Sequence, residues 1–196
     1  KRQVLSQQNY SSETLPYKRG DILDRDGNTL ATSQKMYTLV LEPKNILRSE
    51  EVQKATIDAL HKYMKLDEDK LLKFIKRHKD SYYSVYREEL SYSQIADLKD
   101  FIASDKAENV SGIVFNEKYK RRYPNQSLAS QVIGFVSDGT IGTGGIEQYY
   151  NSTLSGVDGR KYKYLNEELE QDSSIVEPEN GKTVVTTIDS NIQKLA

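Results

Sequence analysis

The stretch RGDILDRDGNTLA, residues 19–31, has the pattern of a tight β-hairpin. Two apolar pairs, Ile22-Leu23 and Leu30-Ala31, flank a central Asp26-Gly27-Asn28. Glycine between Asp and Asn favours a tight turn, because these residues tolerate the backbone angles that a hairpin connection needs. The stretch therefore predicts two short strands joined by a turn.

The acidic residues of this stretch do not match a calcium-binding loop. An EF-hand loop that starts at Asp24 requires glycine at position 29 and glutamate at position 35. The sequence has Thr29 and Lys35 at these positions. We therefore interpret the stretch as a turn that holds no metal.

After the hairpin, the hydrophobic period changes from that of a strand to that of helices. Residues 37–41 (YTLVL) are rich in β-branched and aromatic side chains and predict a strand. Helical periodicity then predicts three helices: one capped by Ser49, a second that starts at Asp67, and a third that follows a capping box of Ser91 and Gln94. Residues 46–110 are predicted to form a small α+β unit.

The remaining sequence alternates between strand and helix patterns, so the predicted fold class is α+β. Residues 1–18 are polar and are predicted to form a linker or extended arm. Residues 167–179 are acidic and are predicted to form a loop. The other predictions are strands at 112–115, 118–123, 161–165 and 183–188, and helices at 127–136 and 146–154.

The composition narrows the function classes. A net charge of -1 gives no general attraction to nucleic acid or anionic lipid, and zero Cys excludes disulfides and thiolate chemistry. No run approaches the roughly 20 apolar residues of a membrane span. Because the chain starts at Lys1 and stops in what resembles the first turns of a helix, we expect a longer parent protein.

Catalytic and ligand-binding patterns are weak. His61 and His78 lie among charged residues on separate predicted helices, which favours solvated surface positions over a catalytic or metal site. The glycines of GTGGIE (residues 142–147) match no phosphate-binding motif, and close backbone approach explains them better. Alternation along the basic residues 118–123 places Tyr119, Arg121 and Tyr123 on one face of a strand, and we favour a structural role over nucleic-acid binding.

Three motifs taken together are specific. RGDILDRDGNTLA, RRYPNQSLASQVIGFV (residues 121–136) and GTGGIEQYYNSTLSGVDG (residues 142–159) resemble, in order and spacing, the three N-terminal motifs of class B penicillin-binding proteins. The tail GKTVVTTIDSNIQKLA (residues 181–196) resembles the strand and helix that open the transpeptidase domain of that family. We number the three motifs in chain order.

The resemblance implies an elongated, strand-rich dimerisation or pedestal domain with an inserted helical head. Residues 1–18 are expected to form an arm after a membrane anchor, and residues 19–45 with 111–188 the pedestal. Residues 46–110 are expected to form the head, and residues 189–196 the start of the transpeptidase domain. The expected function is a non-catalytic scaffold in peptidoglycan cross-linking and cell-wall synthesis. The expected location is the outer face of the bacterial cytoplasmic membrane.

The implied partners are the protein's own transpeptidase domain, the membrane glycan polymerase, other cell-wall synthesis proteins and a second copy in a homodimer. We expect no nucleic acid and no cofactor. The full-length parent is expected to be a serine D,D-transpeptidase, but this chain lacks the family's catalytic SxxK, SxN and KTG elements. The chain itself is therefore predicted not to be an enzyme and not to bind penicillin covalently.

The expected site is structural, with no catalytic, cofactor-binding or metal-binding residue. Charged residues beside glycines in all three motifs suggest that distant segments meet, and arginine can pair with a carboxylate through two bonds. Our hypothesis is that Arg19 or Arg25 pairs with Glu147, and that Asp24 pairs with Arg122. The full predicted set is Arg19, Gly20, Asp24, Arg25, Gly27, Arg122, Tyr123, Pro124, Gly134, Gly142, Gly145, Glu147, Gly156 and Gly159.

One alternative to the scaffold stays open. The chain could be a free-standing extracytoplasmic binding module for a glycan or a regulatory protein, with the three motifs serving the fold alone. A transpeptidase domain after Ala196 and an apolar helix before Lys1 in the complete gene product would favour the scaffold.

Overall fold

A computed structural model describes residues 11–125, 129–137, 140–165 and 171–195. Strands and helices are mixed along the chain, which confirms the α+β class. Contacts divide the chain into two compact units. We call residues 1–34 with 119–196 the motif unit and residues 35–118 the helical unit. The predicted domain limits, with a head at 46–110, stay a prediction.

The predicted hairpin is present in the motif unit. Strand β2 (Ile22–Leu23) pairs antiparallel with the first residues of β3 (Thr29–Leu41), and the turn between them contains Gly27 at a φ of 85°. Strand β10 (Val184–Val185) pairs parallel with the other side of β2. Residues near the two ends of the chain therefore share one sheet.

A second sheet of the motif unit orders β1 (Ser11–Leu15), β8 (Gly159–Leu165) and β9 (Gln171–Val176). Strand β9 lies inside the predicted acidic loop 167–179, so that part of the loop prediction is wrong. Its residues from Ser173 onward are exposed, and regular backbone pairing with β8 holds the strand. A strand without a buried face has no hydrophobic alternation that its sequence could reveal.

The predicted helix at 127–136 is shorter than expected. Helix α5 covers Ser130–Ile133 and ends at Gly134, whose φ is 79°. Strand β6 (Phe135–Ser137) follows and pairs with β7 (Ile141–Thr143). Residues 127 and 128 lie outside the described ranges.

The predicted helix at 146–154 is divided in two. Helix α6 covers Gly145–Tyr149 and α7 covers Asn151–Leu154, with Tyr150 between them. The last helix, α8 (Ser190–Leu195), follows β10. Helices α5 and α7 contribute Ile133 and Leu154 to a small apolar cluster with residues of the hairpin: Ile22, Leu30 and Ala31.

The helical unit has the predicted order of elements. Helix α1 (Pro43–Ile46) precedes α2 (Glu50–Met64), α3 (Glu68–Arg77) and α4 (Tyr92–Ile102). The Ser49 and Asp67 side chains accept hydrogen bonds at the starts of α2 and α3, and the Ser91 capping box is present. A short 3-10 helix (Asp105–Ala107) follows α4.

Strand β4 (Ser84–Leu90) pairs antiparallel with the second half of β3, and β5 (Ile113–Arg122) also pairs with β3. The helices pack on this sheet through a large apolar cluster that includes Leu39, Leu60 and Leu98. No helix within the described ranges is long and apolar enough to cross a membrane.

Candidate functional site

The buried carboxylate of Glu147 is the centre of the site. Helix α6 places this side chain in the motif unit with 0% of its surface exposed. Arg19 Nε donates to Glu147 Oε2 at 2.9 Å, and Arg121 Nε donates to Glu147 Oε1 at 2.7 Å. Because these residues come from motifs one, two and three, the carboxylate joins all three motifs. We call the three side chains the clasp.

Arg19 uses its other nitrogen atoms on the segment around Glu147. Nη1 donates to the Thr140 carbonyl at 3.1 Å and to Ser155 Oγ at 2.8 Å, while Nη2 donates to the Glu147 carbonyl at 2.9 Å. A planar guanidinium with each nitrogen bonded fixes both the distance and the orientation of its partners. Motif three is therefore held to motif one at several points.

Arg121 connects the clasp to the backbone of motif one. Its Nη1 donates to the Gly20 carbonyl at 2.7 Å and to Ser33 Oγ at 3.1 Å. Its buried Nη2 has no hydrogen-bond partner within the described residues. Two buried guanidinium groups share one carboxylate, so the clasp has a formal charge of +1 and depends strongly on Glu147.

Tyr123 adds a neutral donor to the same carboxylate. Its hydroxyl donates to Glu147 Oε1 at 3.3 Å. Burial, followed by the negative charge of Glu147, raises the pKa of Tyr123 to about 12. The phenol therefore keeps its proton at neutral pH and can donate to Glu147.

Two of the predicted glycines allow the close backbone contacts around the clasp. A Cβ on Gly142 would lie 2.0 Å from the Glu147 carbonyl oxygen, and one on Gly20 would lie 2.0 Å from the Lys182 carbonyl oxygen. Any larger residue would force these segments apart. Both glycines are therefore needed for the segments to meet.

The other predicted glycines and Pro124 lie outside the clasp. Gly134 and Gly145 lie where the segments around α5 and α6 contact each other, and Gly156 and Gly159 lie against the backbone that follows β9. Pro124 lies in the turn that follows β5. These four glycines therefore serve separate backbone contacts, and Pro124 serves a turn.

Asp24 forms a second buried site, which we call the joint, with the start of α8. Asp24 Oδ2 accepts from Ser190 Oγ at 2.6 Å and from Asn28 Nδ2 at 2.9 Å, and Oδ1 accepts from the backbone N–H groups of Asp26 and Asn28. The Ser190 hydrogen bond, followed by those from Asn28, holds the pKa of Asp24 well below its usual range. Four neutral donors thus stabilise one buried negative charge.

The predicted pair between Asp24 and Arg122 is wrong. Arg122 is exposed and its Nε donates to Gln34 Oε1 at 3.1 Å. Neighbouring residues of a strand point to opposite faces, so Arg121, and not Arg122, reaches the buried side of β5. The pairing with Glu147 is made by Arg19, whereas Arg25 forms an exposed ion pair with Asp189 at 3.6 Å.

Backbone hydrogen bonds extend the joint along the segment before α8. Arg25 N–H donates to the Ile188 carbonyl, and Thr186 N–H donates to the Leu23 carbonyl, both at 2.9 Å. The N–H of Gly181 donates to the Lys18 carbonyl at 2.9 Å. Motif one, together with the preceding Lys18, therefore bonds to residues 181–190, from the segment before β10 to the start of α8.

The sequence hypothesis missed Arg121 and Ser190. Strand alternation places Arg121 on the same face as Tyr123, which belongs to the predicted set. This shared face is the sequence signal that could have identified Arg121. No comparable indication exists in the sequence for Ser190, because a serine at the start of a helix is already explained by helix capping. Ser33 and Ser155, which bond to the arginines, also could not be distinguished from other serines.

The family model described as Penicillin-binding Protein dimerisation domain matches residues 14–186. The match contains the clasp and the Asp24 side of the joint. Ser190 lies after the last matched residue.

Curated relatives are longer proteins. The probable peptidoglycan D,D-transpeptidase PenA of Neisseria meningitidis serogroup A is 28% identical over 191 residues, covering 94% of this chain and 31% of the relative. Stage V sporulation protein D of Bacillus subtilis is 27% identical over 195 residues, covering 94% of this chain and 28% of the relative. The chain thus spans less than a third of these two relatives.

Solved structures are similar over nearly the whole chain. Penicillin Binding Protein 2X from Streptococcus thermophilus has a TM-score of 0.72 at 25% identity, covering 94% of this chain and 30% of that one. Penicillin-binding protein PBP2 of Helicobacter pylori, in a complex with MreC, has a TM-score of 0.62 at 23% identity, covering 94% and 37%. The second similarity concerns the fold alone.

Proposed function

The chain belongs to the penicillin-binding protein dimerisation domain family, and we propose that it is the non-catalytic scaffold of a penicillin-binding protein that acts in peptidoglycan cross-linking. The observation that carries the proposal is the joining of all three family-like motifs at the buried Glu147 carboxylate. The planar arginine side chains, bonded to Glu147, to two serines and to backbone carbonyls, require one defined arrangement of the segments that they join. A scaffold needs such a fixed arrangement.

The joint supplies the positioning part of the proposal. Asp24 holds Ser190 at the first residue of α8, while the backbone of motif one holds the segment before it. These bonds fix the direction in which the chain leaves the motif unit. A transpeptidase domain that followed α8 would then start from a defined position.

The catalytic reaction is assigned to the longer parent protein. The named relatives include a probable peptidoglycan D,D-transpeptidase, and this chain spans 31% of that relative. We propose a serine D,D-transpeptidase domain after Ala196, with the acyl-accepting serine there. The present chain would contribute the orientation of that domain and the contacts with partner proteins.

We place the module on the outer face of the cytoplasmic membrane, anchored by an N-terminal helix before Lys1. Peptidoglycan is assembled there, so partners would include the membrane glycan polymerase and other cell-wall synthesis proteins. The complex of Helicobacter pylori PBP2 with MreC supports a partner-contact role for similar modules. The family description supports a homodimer as a further assembly.

The test uses the full-length gene product and this 196-residue chain. Fluorescent penicillin should label the full-length protein at a serine beyond Ala196 and should leave the chain alone unlabelled. Spin labels on the motif unit and the transpeptidase domain should give a narrow distance distribution that broadens in Ser190→Ala. Labelling of the isolated chain, or an unchanged distribution in the variant, would contradict the proposal.

A further inference from the structure

A basic surface covers the C-terminal half of α3 and the residue that follows its cap. Lys73, Lys76, Arg77 and Lys79 all have exposed side chains there. The nearest acidic residues in sequence are Asp69, one turn before Lys73, and Asp80, directly after Lys79. Four cations within seven residues therefore have one acidic neighbour at each end, in a chain with a net charge of -1.

Within the part of the chain that the structure describes, these four cations have no partner for their charges. Within the described residues, none of them forms an ion pair or a side-chain hydrogen bond, whereas Lys35, Lys118 and His61 of the same unit each face a glutamate. The helix dipole favours Lys76 and Arg77 in the last turn of α3. The dipole does not account for Lys79, which follows the cap, or for Lys73, which lies one turn earlier and four residues after Asp69.

Two exposed tyrosines follow this basic run. Tyr82 is 56% exposed and Tyr83 is 60% exposed. Lys44 Nζ lies 4.6 Å from the centre of the Tyr82 ring, and the Tyr83 hydroxyl accepts from Asn116 Nδ2 at 3.0 Å. These contacts orient both side chains while more than half of each residue stays exposed, which lowers the entropic cost of binding a ligand through them.

The loop backbone is fixed at the end of α3 as well. Ser81 N–H donates to the His78 carbonyl at 2.9 Å, and Ser81 Oγ bonds to both the N–H and the carbonyl of Tyr83. These bonds fix the backbone of the loop in which both tyrosines directly follow the basic end of the helix. We call Lys73, Lys76, Arg77, Lys79, Tyr82 and Tyr83 the basic-tyrosine surface.

We propose that the basic-tyrosine surface binds a peptidoglycan strand. This polymer combines sugar rings with peptide stems that carry carboxylates. Aromatic faces can contact the C–H groups of sugars, and lysine or arginine can pair with the carboxylates. The inference rests on the proposed cell-wall location, and it adds a ligand that the scaffold would contact directly.

The buried face of α3 argues against an anionic membrane as the occupant. Helices that lie on a bilayer insert an apolar face beside their basic face. Here Leu71 and Ile75 are fully buried in the apolar cluster of the helical unit. The helix therefore has only its polar side available, which suits a hydrated polymer better than a bilayer.

The test measures cosedimentation of the 196-residue chain with insoluble peptidoglycan stripped of attached phosphate polymers. The first variant replaces Lys73, Lys76 and Arg77 with glutamine. Its affinity should fall about tenfold or more at low salt, where screening is weak, since exposed ion pairs each change affinity by a few fold. Raising the salt concentration should weaken the unmodified chain more than this variant.

The matched control removes the same charge elsewhere in the helical unit. Lys54, Lys62 and Lys106 are also exposed, and their replacement by glutamine should change affinity by less than about twofold. The double variant Tyr82→Ala/Tyr83→Ala should weaken binding with little change in its salt dependence. Peptidoglycan with amidated carboxylates should bind weakly to the unmodified chain.

If the two glutamine variants lost affinity for peptidoglycan equally, binding would depend on net charge alone, and the proposal would be overturned. Unchanged binding in the first variant, or preferential binding to vesicles rich in anionic phospholipid, would also overturn it. None of these outcomes affects penicillin labelling of the full-length protein. Failure here is therefore distinguishable from failure of the scaffold proposal.

Discussion

The two units of the chain are stabilised in different ways. The helical unit has a large apolar cluster to which α2, α3, α4 and the strands all contribute. The motif unit has a small cluster around Ile22 and Leu154, together with the buried clasp. A unit with little apolar burial depends more on the few polar contacts that connect its segments.

This difference shows how each unit can fail. Truncating an apolar side chain in the helical unit leaves a cavity, whose cost depends on how far the surroundings relax. Removing Glu147 leaves two buried guanidinium groups without their carboxylate. The second kind of damage is electrostatic and should be confined to the motif unit.

The largest expected effect is that of Glu147→Ala. Breaking a buried pair on one side costs about 3–5 kcal/mol, which is a large share of the stability of a domain. Urea denaturation gives the loss, and hydrogen exchange should accelerate at β2, α6 and α7 while α2 and α4 stay protected. Lys54→Ala, on an exposed side chain of the helical unit, is the control and should change stability by less than about 0.5 kcal/mol.

Leu60→Ala makes the converse test in the helical unit. Leu60 is fully buried, and its truncation should cost about 2–5 kcal/mol. The loss should be insensitive to salt, and faster hydrogen exchange should appear in α2 and α4. Faster exchange at α6 of a similar size would remove the distinction between the units.

Asp24→Asn should make the stability of the motif unit less dependent on pH. Because the folded-state pKa of Asp24 is lowered, its stabilisation is present above the unfolded pKa of about 4 and is lost as pH falls through the folded value. The urea midpoints of the unmodified chain and the variant should differ most at pH 7, and their difference should begin to shrink below about pH 4 and keep shrinking as pH falls towards the folded pKa of Asp24. If the difference between the two midpoints stayed constant with pH, the titration of Asp24 would be excluded as a source of the pH dependence of stability.

Glycine at two left-handed positions should give the smallest effects. Ala129 in the motif unit has a φ of 53°, and Lys65 in the helical unit has a φ of 52°. Glycine removes the strain that a side chain causes at these backbone angles, but it also makes the unfolded chain more flexible. The net effect should stabilise Ala129→Gly and Lys65→Gly by about 0.5–1 kcal/mol each. Thermal melts should show similar gains, because this strain is local. A loss in either variant would show that its methyl or side chain contributes more than its strain costs.

The sequence predicted the helical unit well because its information is local. Ser49, Asp67 and Ser91 mark helix starts, and apolar residues recur with the helical period. The hairpin at Gly27 was predicted for the same reason. Strand β9 was missed because its exposed residues, 173–176, show no hydrophobic alternation, and the helix at 127–136 was too long because Gly134 turns the chain into a strand.

The site was less predictable, since charge alone does not select a partner. Arg19, Asp24 and Glu147 were identified from their motifs, and the Arg19 to Glu147 pair is confirmed. The partner of Asp24 is a serine 166 residues later in the sequence, which no charge pattern reveals. The choice between Arg121 and Arg122 depended on which face of β5 is buried.

The most direct test of the clasp is a double-mutant cycle on Arg19 and Glu147. The free energy of unfolding is measured by urea denaturation for the unmodified chain, Arg19→Met, Glu147→Gln and the double variant. We expect the double variant to lose less stability than the sum of the single losses, with a coupling of about 2 kcal/mol or more, because it removes both charges together. Single losses that add to within about 0.5 kcal/mol would contradict the clasp.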